Sequence, residues 1–179
     1  MQHWGWIILD LIILDCFLYW WHRTNHEIPF LWRFHEVHHL DEFLDSTTAL
    51  RFHFGEVFLS ALVRVLFISL VAIPISSVII AEIILMLVTI LQHSNLAIPK
   101  KLENAIRKIF VTPAIHWVHH HKKQEDTDSN YAAIFSIWDK LFGTRNRNLR
   151  WDNMPIGLQN RTELSLIQLI IKPFRLPSR

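Results

Sequence analysis

Residues 57–91 read VFLSALVRVLFISLVAIPISSVIIAEIILMLVTIL, 35 residues in which only Ser60, Arg64, Ser69, Pro74, Ser76, Ser77, Glu82 and Thr89 are not plainly apolar. As one helix this stretch would be roughly 50 Å long, well beyond a hydrocarbon core of about 30 Å. Pro74, followed by Ser76 and Ser77, supplies the break, because proline disfavours a helical residue before it. The expectation is a helical hairpin with arms at about 57–73 and 75–91. Arms of about 17 residues sit at the lower limit for spanning, so a re-entrant or interfacial hairpin also fits. Upstream, residues 4–21 read WGWIILDLIILDCFLYWW, interrupted by Gly5, Asp10 and Asp15. Aromatic side chains at both ends suit the two membrane interfaces. With no basic segment before it and no small-residue cleavage site, it reads as a retained anchor rather than a signal peptide.

The composition agrees with a membrane protein. The chain has 179 residues, of which 51% are hydrophobic and 19% charged, with a mean hydropathy of +0.21. That balance excludes a disordered chain, and the length fits one domain over 1–179. The single Cys16 excludes an internal disulfide and cysteine-based zinc modules. Eighteen basic against 16 acidic residues leave too small an excess for a nucleic-acid reading. The distribution of charge says more than its sum. With one N-terminal helix and a hairpin, residues 22–56 and 92–179 share one side and carry 17 of the 18 Lys and Arg. The positive-inside rule makes that side cytoplasmic, and Arg64 is close enough to snorkel back to it. Residues 163–174 place Leu164, Ile167, Ile170, Ile171 and Phe174 largely on one helical face. This helix is expected to lie either on the membrane or on the protein.

Twelve histidines concentrate the chemistry. Three clusters stand out: HRTNH with His22 and His26, HEVHH with His35, His38 and His39, and HWVHH with His116, His119 and His120. On a helix, positions i, i+3 and i+4 share a face, so each cluster aims its imidazoles at a common point. Eight imidazoles exceed a four-coordinate structural site and match two metals with open positions better. His93 and His53 flank the hairpin at the same depth. His93 reads as a further ligand, whereas His53 fits a ligand, an outer partner or a surface residue equally well. His3 lies at the far end of the first helix, and His121 reads as a solvent-facing neighbour. Asp15, Tyr19, His22 and His26 form one stripe, and Glu82, Met86, Thr89 and His93 another. Ionisable groups in a bilayer are costly and usually face a polar interior, so Asp15 and Glu82 are expected to point to the metal cavity or substrate path. The alternative is pairing with each other or with Arg64. Asp10, on the opposite face, points to a partner helix or chain.

With their surroundings these clusters resemble the fatty acid hydroxylase/sterol desaturase superfamily of integral membrane di-iron oxidases. The resemblance runs through DCFLYWWHRTNH, PFLWRFHEVHHLDEFLDSTTALRFH, LQHSN and TPAIHWVHHHKKQEDTDSNYAAIFSIWDKLFGT, nearly three quarters of the chain. The LDSTTALRFH and TDSNY segments look most like its bacterial sterol-desaturase-like and alkylglycerol-monooxygenase-like branches. The resemblance implies an all-α fold in which membrane helices carry a cytosolic helical cap that binds the metals. It implies that His22, His26, His35, His38, His39, His116, His119 and His120 hold two irons, with His93 as a further ligand. Asp45, Asp126, Asp128, Asn130 and Asp139 fall in the resembling segments as groups that would orient imidazoles or serve as caps and turns.

The implied activity uses O₂ and two electrons to hydroxylate or desaturate a lipid C–H bond, in a bacterial inner membrane or endoplasmic reticulum, with hydroxylation expected. The sequence carries no HPGG, GxGxxG or CxxC segment, so a cytochrome b-type protein or ferredoxin is the expected electron donor. Zinc can occupy such sites in purified preparations. Two features depart from the pattern. Relatives often have more N-terminal sequence and at least four membrane helices, so a short member, a fragment and a homo-oligomer that completes the membrane part all fit. Some also carry an HxxxH pair where this chain has Thr89 and His93, beside Gln92. Other functions built on the same residues are a metal-dependent membrane hydrolase, a metal transporter and an inactive histidine-box protein. Transporters hold their ligands near the membrane midplane, whereas these clusters lie outside the apolar stretches.

Overall fold

The computed structural model describes residues 4–162 and 164–175. Its helices are α1 (Trp4–Glu27), α2 (Pro29–His39), α3 (Phe54–Val71), α4 (Ile75–His93), α5 (Lys100–Ile106), α6 (Pro113–His119), α7 (Gln124–Thr127), α8 (Ile137–Leu141) and α9 (Leu166–Ile171). Among the described residues the fold is all-α, and extended pairing is limited to isolated bridges at Phe110–Phe135 and His121–Ile156. His3 and Glu163 lie outside the described residues.

Three helices, α1, α3 and α4, are long and apolar enough to cross a membrane. Their outer surfaces stay apolar where the protein leaves them uncovered: Phe58, Leu62, Leu70, Ile75, Ile79 and Ile83 are all exposed. A row of such side chains is stable only where lipid takes the place of water, and the helix satisfies its own backbone there. The chain is an integral membrane protein. Its hairpin turns at Ala72, which closes α3 in the left-handed region at φ 58°, with its N–H on the Ile68 carbonyl. Pro74 then starts α4 as its N-cap. Alanine strains the position that glycine usually fills after a helix. Ala72→Gly is therefore expected to stabilise the chain by about 0.5–1 kcal/mol, seen as a melting temperature raised by a few degrees.

The hairpin packs on α1 through Leu14, Ile73 and Ala81, with Leu11, Phe67 and Val78 around them. Phe17 stacks on Phe67 at 4.4 Å. Asp10 accepts the Ser77 hydroxyl at 2.5 Å, so the partner helix expected for it is α4 of the same chain. Arg64 does not snorkel outward. It donates to Glu82 across the hairpin at 2.5 Å.

All three helices differ in extent from the apolar stretches. α1 runs six residues beyond Trp21 and α4 two beyond Leu91, while α3 begins at Phe54. These extensions carry His22, His26 and His93 above the apolar layer. There the remaining helices form a cap, joined to α1 by a cluster of Tyr19, Val111, Ile115, Tyr131 and Ala132 with Trp138 and Phe142 against it. Pro29 and Pro113 stand in the first turns of α2 and α6. Proline is suited to that position because its fixed φ is helical and no intrahelical N–H is needed. Both helices are thus started a few residues before their histidines.

The amphipathic C-terminal helix is shorter than expected, six residues followed by a 3₁₀ turn, Lys172–Phe174. Leu164 and Leu169 pack against Trp32, Leu40 and Leu158, while Leu166 and Ile167 are exposed. The segment therefore lies on the protein with one side and leaves an apolar side open.

Candidate metal centre

The nine histidines singled out by the sequence, eight on four helices and His120 at the C-cap of α6, converge on two adjacent points. His22, His26, His35, His39 and His119 form one group, and His38, His93, His116 and His120 the other, with ligand atoms in each group within 4.8 Å of one another. Two imidazoles opposite each other on a metal at about 2.1 Å would lie about 4.2 Å apart, so each group is close to coordination size. Within the groups, His93 Nε2 lies 3.0 Å from His116 Nε2 and 3.2 Å from His38 Nε2. His35 and His39 bring their Nε2 atoms to 3.3 Å. Neighbouring ligands on one ion stand about 3 Å apart by the same geometry. The groups abut, with His39 of one stacked on His120 of the other at 4.5 Å.

The division follows from helix geometry. In HEVHH the i,i+4 pair His35 and His39 belongs to the first group, and His38 to the second. In HWVHH the pair His116 and His120 belongs to the second group, and His119 to the first. Each HxxHH segment therefore straddles both points. Residues four apart stack along a helix face, while the third imidazole is turned by about 60–100° from its neighbours.

Most of the rings are oriented from outside by their Nδ1. His22 is held by the Tyr131 carbonyl at 2.9 Å, His93 by Thr89 at 2.7 Å, His119 by Ser129 at 2.7 Å and His38 by Arg51 at 3.3 Å. Asp128 lies 3.4 Å from His26 Nδ1. A proton placed on Nδ1 by these acceptors leaves Nε2 as the lone-pair donor directed inward. Burial drives the same way. It lowers the pKa of His38, His39, His116 and His120 well below the usual range and that of His119 to about 3. Neutral imidazole is the form that binds a metal.

A metal suits this arrangement on one further ground. His119 Nε2, in the first group, and both ring nitrogens of His120, in the second, are buried without a hydrogen-bond partner among the described residues. Buried polar nitrogen without a partner is costly, and several such atoms around two points are what a bound cation would satisfy.

The remaining candidates fall away from the centre. His53 caps α3, accepting the Gly55 N–H, and its Nε2 meets the Ile170 carbonyl. His121 turns to Asp126 at 2.7 Å. Of the five Asp and Asn residues proposed as orienting groups, only Asp128 touches a ring of the two groups. Asp45 closes a turn on the Thr47 N–H, Asn130 accepts the Asn146 N–H, and Asp139 accepts the N–H groups of Tyr131 and Ala132. Asp15 does not face the cavity. It accepts the N–H groups of Ile134 and Phe135 and the Trp138 indole, at 2.9, 3.0 and 2.7 Å.

One residue escaped the sequence reading. Glu56, on the first turn of α3, is buried and lies 2.7 Å from His35 Nδ1. A glutamate three residues after an Arg-Phe-His segment gives no local sign of this, because its partner is 21 residues earlier. Carboxylates in this position orient a ligating imidazole and raise its basicity. Glu56→Gln is expected to weaken metal retention by roughly 10–100-fold in chelator competition, with helix content unchanged.

Beside the two groups opens a cavity of about 390 Å³. His22, His35, His38, His93 and His116 line one end, and the walls run down α3 and α4 past Val57, Ala61, Leu85 and Met86 to Arg64 and Glu82. Glu82 therefore lines the cavity, as expected, while also pairing with Arg64. Along α4, Glu82 is eleven residues below His93, about 16 Å. The cavity leads from the histidines into the membrane layer.

A helical membrane protein with two adjacent all-histidine centres above a lipid-side cavity is thus defined by its fold alone. The fatty acid hydroxylase family model matches residues 7–144, and the chain belongs to that family. Among curated relatives, the ornithine lipid hydroxylase OlsE of Rhizobium tropici is 28% identical over 168 residues, 94% of this chain and 50% of that protein. The alkylglycerol monooxygenase of Danio rerio is 36% identical over 143 residues, 79% of this chain and 30% of that protein. The cholesterol 25-hydroxylase of Mus musculus is 23% identical over 139 residues, 77% of this chain and 46% of that protein. The chain spans half or less of the length of these relatives. No solved structure matches it significantly.

Proposed function

We propose that the chain is a membrane-bound di-iron oxidase that hydroxylates a C–H bond of a lipid. The observation that carries this reading is the partition of nine inward imidazoles into two adjacent groups at the head of a cavity that opens toward the membrane. His22, His26, His35, His39 and His119 would hold one iron, and His38, His93, His116 and His120 the other. When bound, such a pair supplies the redox chemistry of O₂. The reaction consumes one O₂, two electrons and two protons, inserting one oxygen atom into C–H and releasing the other as water.

The chain's own residues do the positioning. Val57, Ala61, Leu85 and Met86 offer an apolar wall to a hydrocarbon chain, and the histidine end of the cavity presents the bond to be oxidised. Glu56 and the carbonyls of Arg51, Thr89, Ser129 and Tyr131 keep the imidazoles in place. Apolar walls exclude water from the reacting end. Three relatives from different lipid classes are named as hydroxylases or monooxygenases, which supports hydroxylation over desaturation. A separate donor, a ferredoxin or a cytochrome b-type protein, supplies the electrons. The cap, on the side that carries most of the basic residues, faces the cytoplasm.

The test is iron-loaded protein in lipid extract with O₂ and a ferredoxin reducing system, read by mass spectrometry. The expected product is a lipid heavier by one oxygen, with label from ¹⁸O₂. Ser60→Trp, which obstructs the cavity wall, is expected to lower turnover at least tenfold at unchanged iron content. Product formed without O₂ or reductant would move the reading to a hydrolase, and loss of two hydrogens to a desaturase.

A further inference from the structure

A second cavity, of about 470 Å³, lies on the outer side of the cap and is lined by Arg107, Lys108, Lys140, Arg145 and Arg147, with Ile115 at its back. We infer that this cleft seats the phosphate headgroup of an anionic membrane lipid, which fixes the cap on the bilayer surface. Five cations in one cleft are the first observation. The acidic residues on the same segments offset this charge only in part: Glu103 is buried and accepts the Thr112 hydroxyl, and Asp139, buried on the N–H groups of Tyr131 and Ala132, also favours the Arg145 charge, but two carboxylates face five cations. Arg145 Nη1 is buried with no hydrogen-bond partner among the described residues. Burial and the neighbouring Arg107 both disfavour the Arg145 charge, and Asp139 offsets them only in part. An anion would answer both.

The second observation sets the depth of the cleft. Asp15 lies in α1 on the bilayer side of the aromatic group Tyr19, Trp20 and Trp21, about 7 Å below Trp20. By binding Ile134, Phe135 and Trp138 it holds the start of α8 at that level. The 106–110 turn is tied to the same segment, Ser136 donating its N–H to Ile109 and its hydroxyl to the Arg107 carbonyl. On the segments that carry Arg107, Lys108 and Lys140, the apolar side chains of Leu102, Ile109, Phe110, Ile137 and Leu141 are exposed. Cations beside exposed apolar side chains, at the level where a spanning helix leaves the hydrocarbon, form the pattern of an interfacial lipid contact. An acidic protein would meet the same charge but would leave that apolar rim in water, so the lipid is the better occupant. This inference is independent of the metal reading, since none of the nine histidines lines the cleft.

Native mass spectrometry of the full chain in neutral detergent tests it, with dioleoyl phosphatidylglycerol, dioleoyl phosphatidylcholine or inorganic phosphate added. The chain is expected to retain phosphatidylglycerol roughly tenfold more than phosphatidylcholine. The combined variant Arg107→Gln, Lys108→Gln, Arg147→Gln is expected to lose that preference while iron content and helix signal stay unchanged. Lys140 and Arg145 are left intact because they also donate to the carbonyls of Lys108 and Arg107. Equal retention of the two lipids, or an unchanged preference in the variant, would overturn the inference. So would displacement of the lipid by millimolar phosphate, which would mark a free-phosphate site. Capture of an acidic ferredoxin at the cleft without any lipid preference would overturn it in favour of donor docking.

Discussion

On the proposed di-iron reading, His116→Ala is expected to hold one iron per chain against two expected for the unaltered protein, and to lose more than a hundredfold in turnover. His116 belongs to the group of four, whose Nε2 atoms of His38, His93 and His116 approach at 3.0–3.2 Å. Its Nδ1 has no partner outside the group, so alanine removes a ligand while leaving the surrounding hydrogen bonds in place. Three imidazoles remain, and the ion they hold is expected to be lost to a mild chelator. The effect exceeds the roughly 10–100-fold given for an outer partner such as Glu56, because a bond to the metal itself is lost. His39→Ala is the informative comparison. Its Nδ1 is also without a partner, but its group of five retains four imidazoles, so iron loss is expected to be partial and to need a stronger chelator. His121→Ala and His53→Ala should leave two irons, since neither ring belongs to a group. Elemental analysis of each variant, with helix content measured alongside, decides the matter. Loss of both irons in His116→Ala would show one shared centre rather than two, and loss in His121→Ala would overturn the assignment.

The histidines were legible because they are local patterns. Spacings of three and four residues fix which rings share a helix face, and the nine residues read from the sequence are those the structure gathers. The hairpin was legible for a similar reason, since apolar length and one proline are enough to mark it. What the sequence withheld depends on contacts between distant segments. Which rings of the two HxxHH segments meet, His35 and His39 with His119 and His38 with His116 and His120, depends on how α2 and α6 face each other. Glu56 reaches a ring 21 residues away, and Asp128 one 102 residues away. Asp15 shows the limit most clearly. Its stripe with Tyr19, His22 and His26 pointed to the cavity, but a carboxylate can be satisfied by any nearby donors, and helical phase does not say which chain segment supplies them.

Those donors give Asp15 a large structural effect. Its two oxygens accept two backbone N–H groups and an indole N–H, across sequence separations of 119 to 123 residues. It is the polar clamp between a membrane helix and the cap. Asp15→Ala would leave at least two buried N–H groups without acceptors, each worth about 1–3 kcal/mol, offset in part because a buried carboxylate is no longer desolvated. A net loss of about 3 kcal/mol is expected, a melting temperature lower by roughly 6–12 °C. Asp15→Asn keeps one acceptor oxygen and should fall between. The consequence extends to the metals. Just before the clamped residues, the Tyr131 carbonyl orients His22 and the Ala133 carbonyl accepts Gln92 at 2.5 Å. Loosening this loop should free His22 first, so the five-histidine group is expected to lose its iron before the other. An Asp15→Ala protein that melts low yet keeps both irons equally firmly would show that the clamp holds the fold without setting the site.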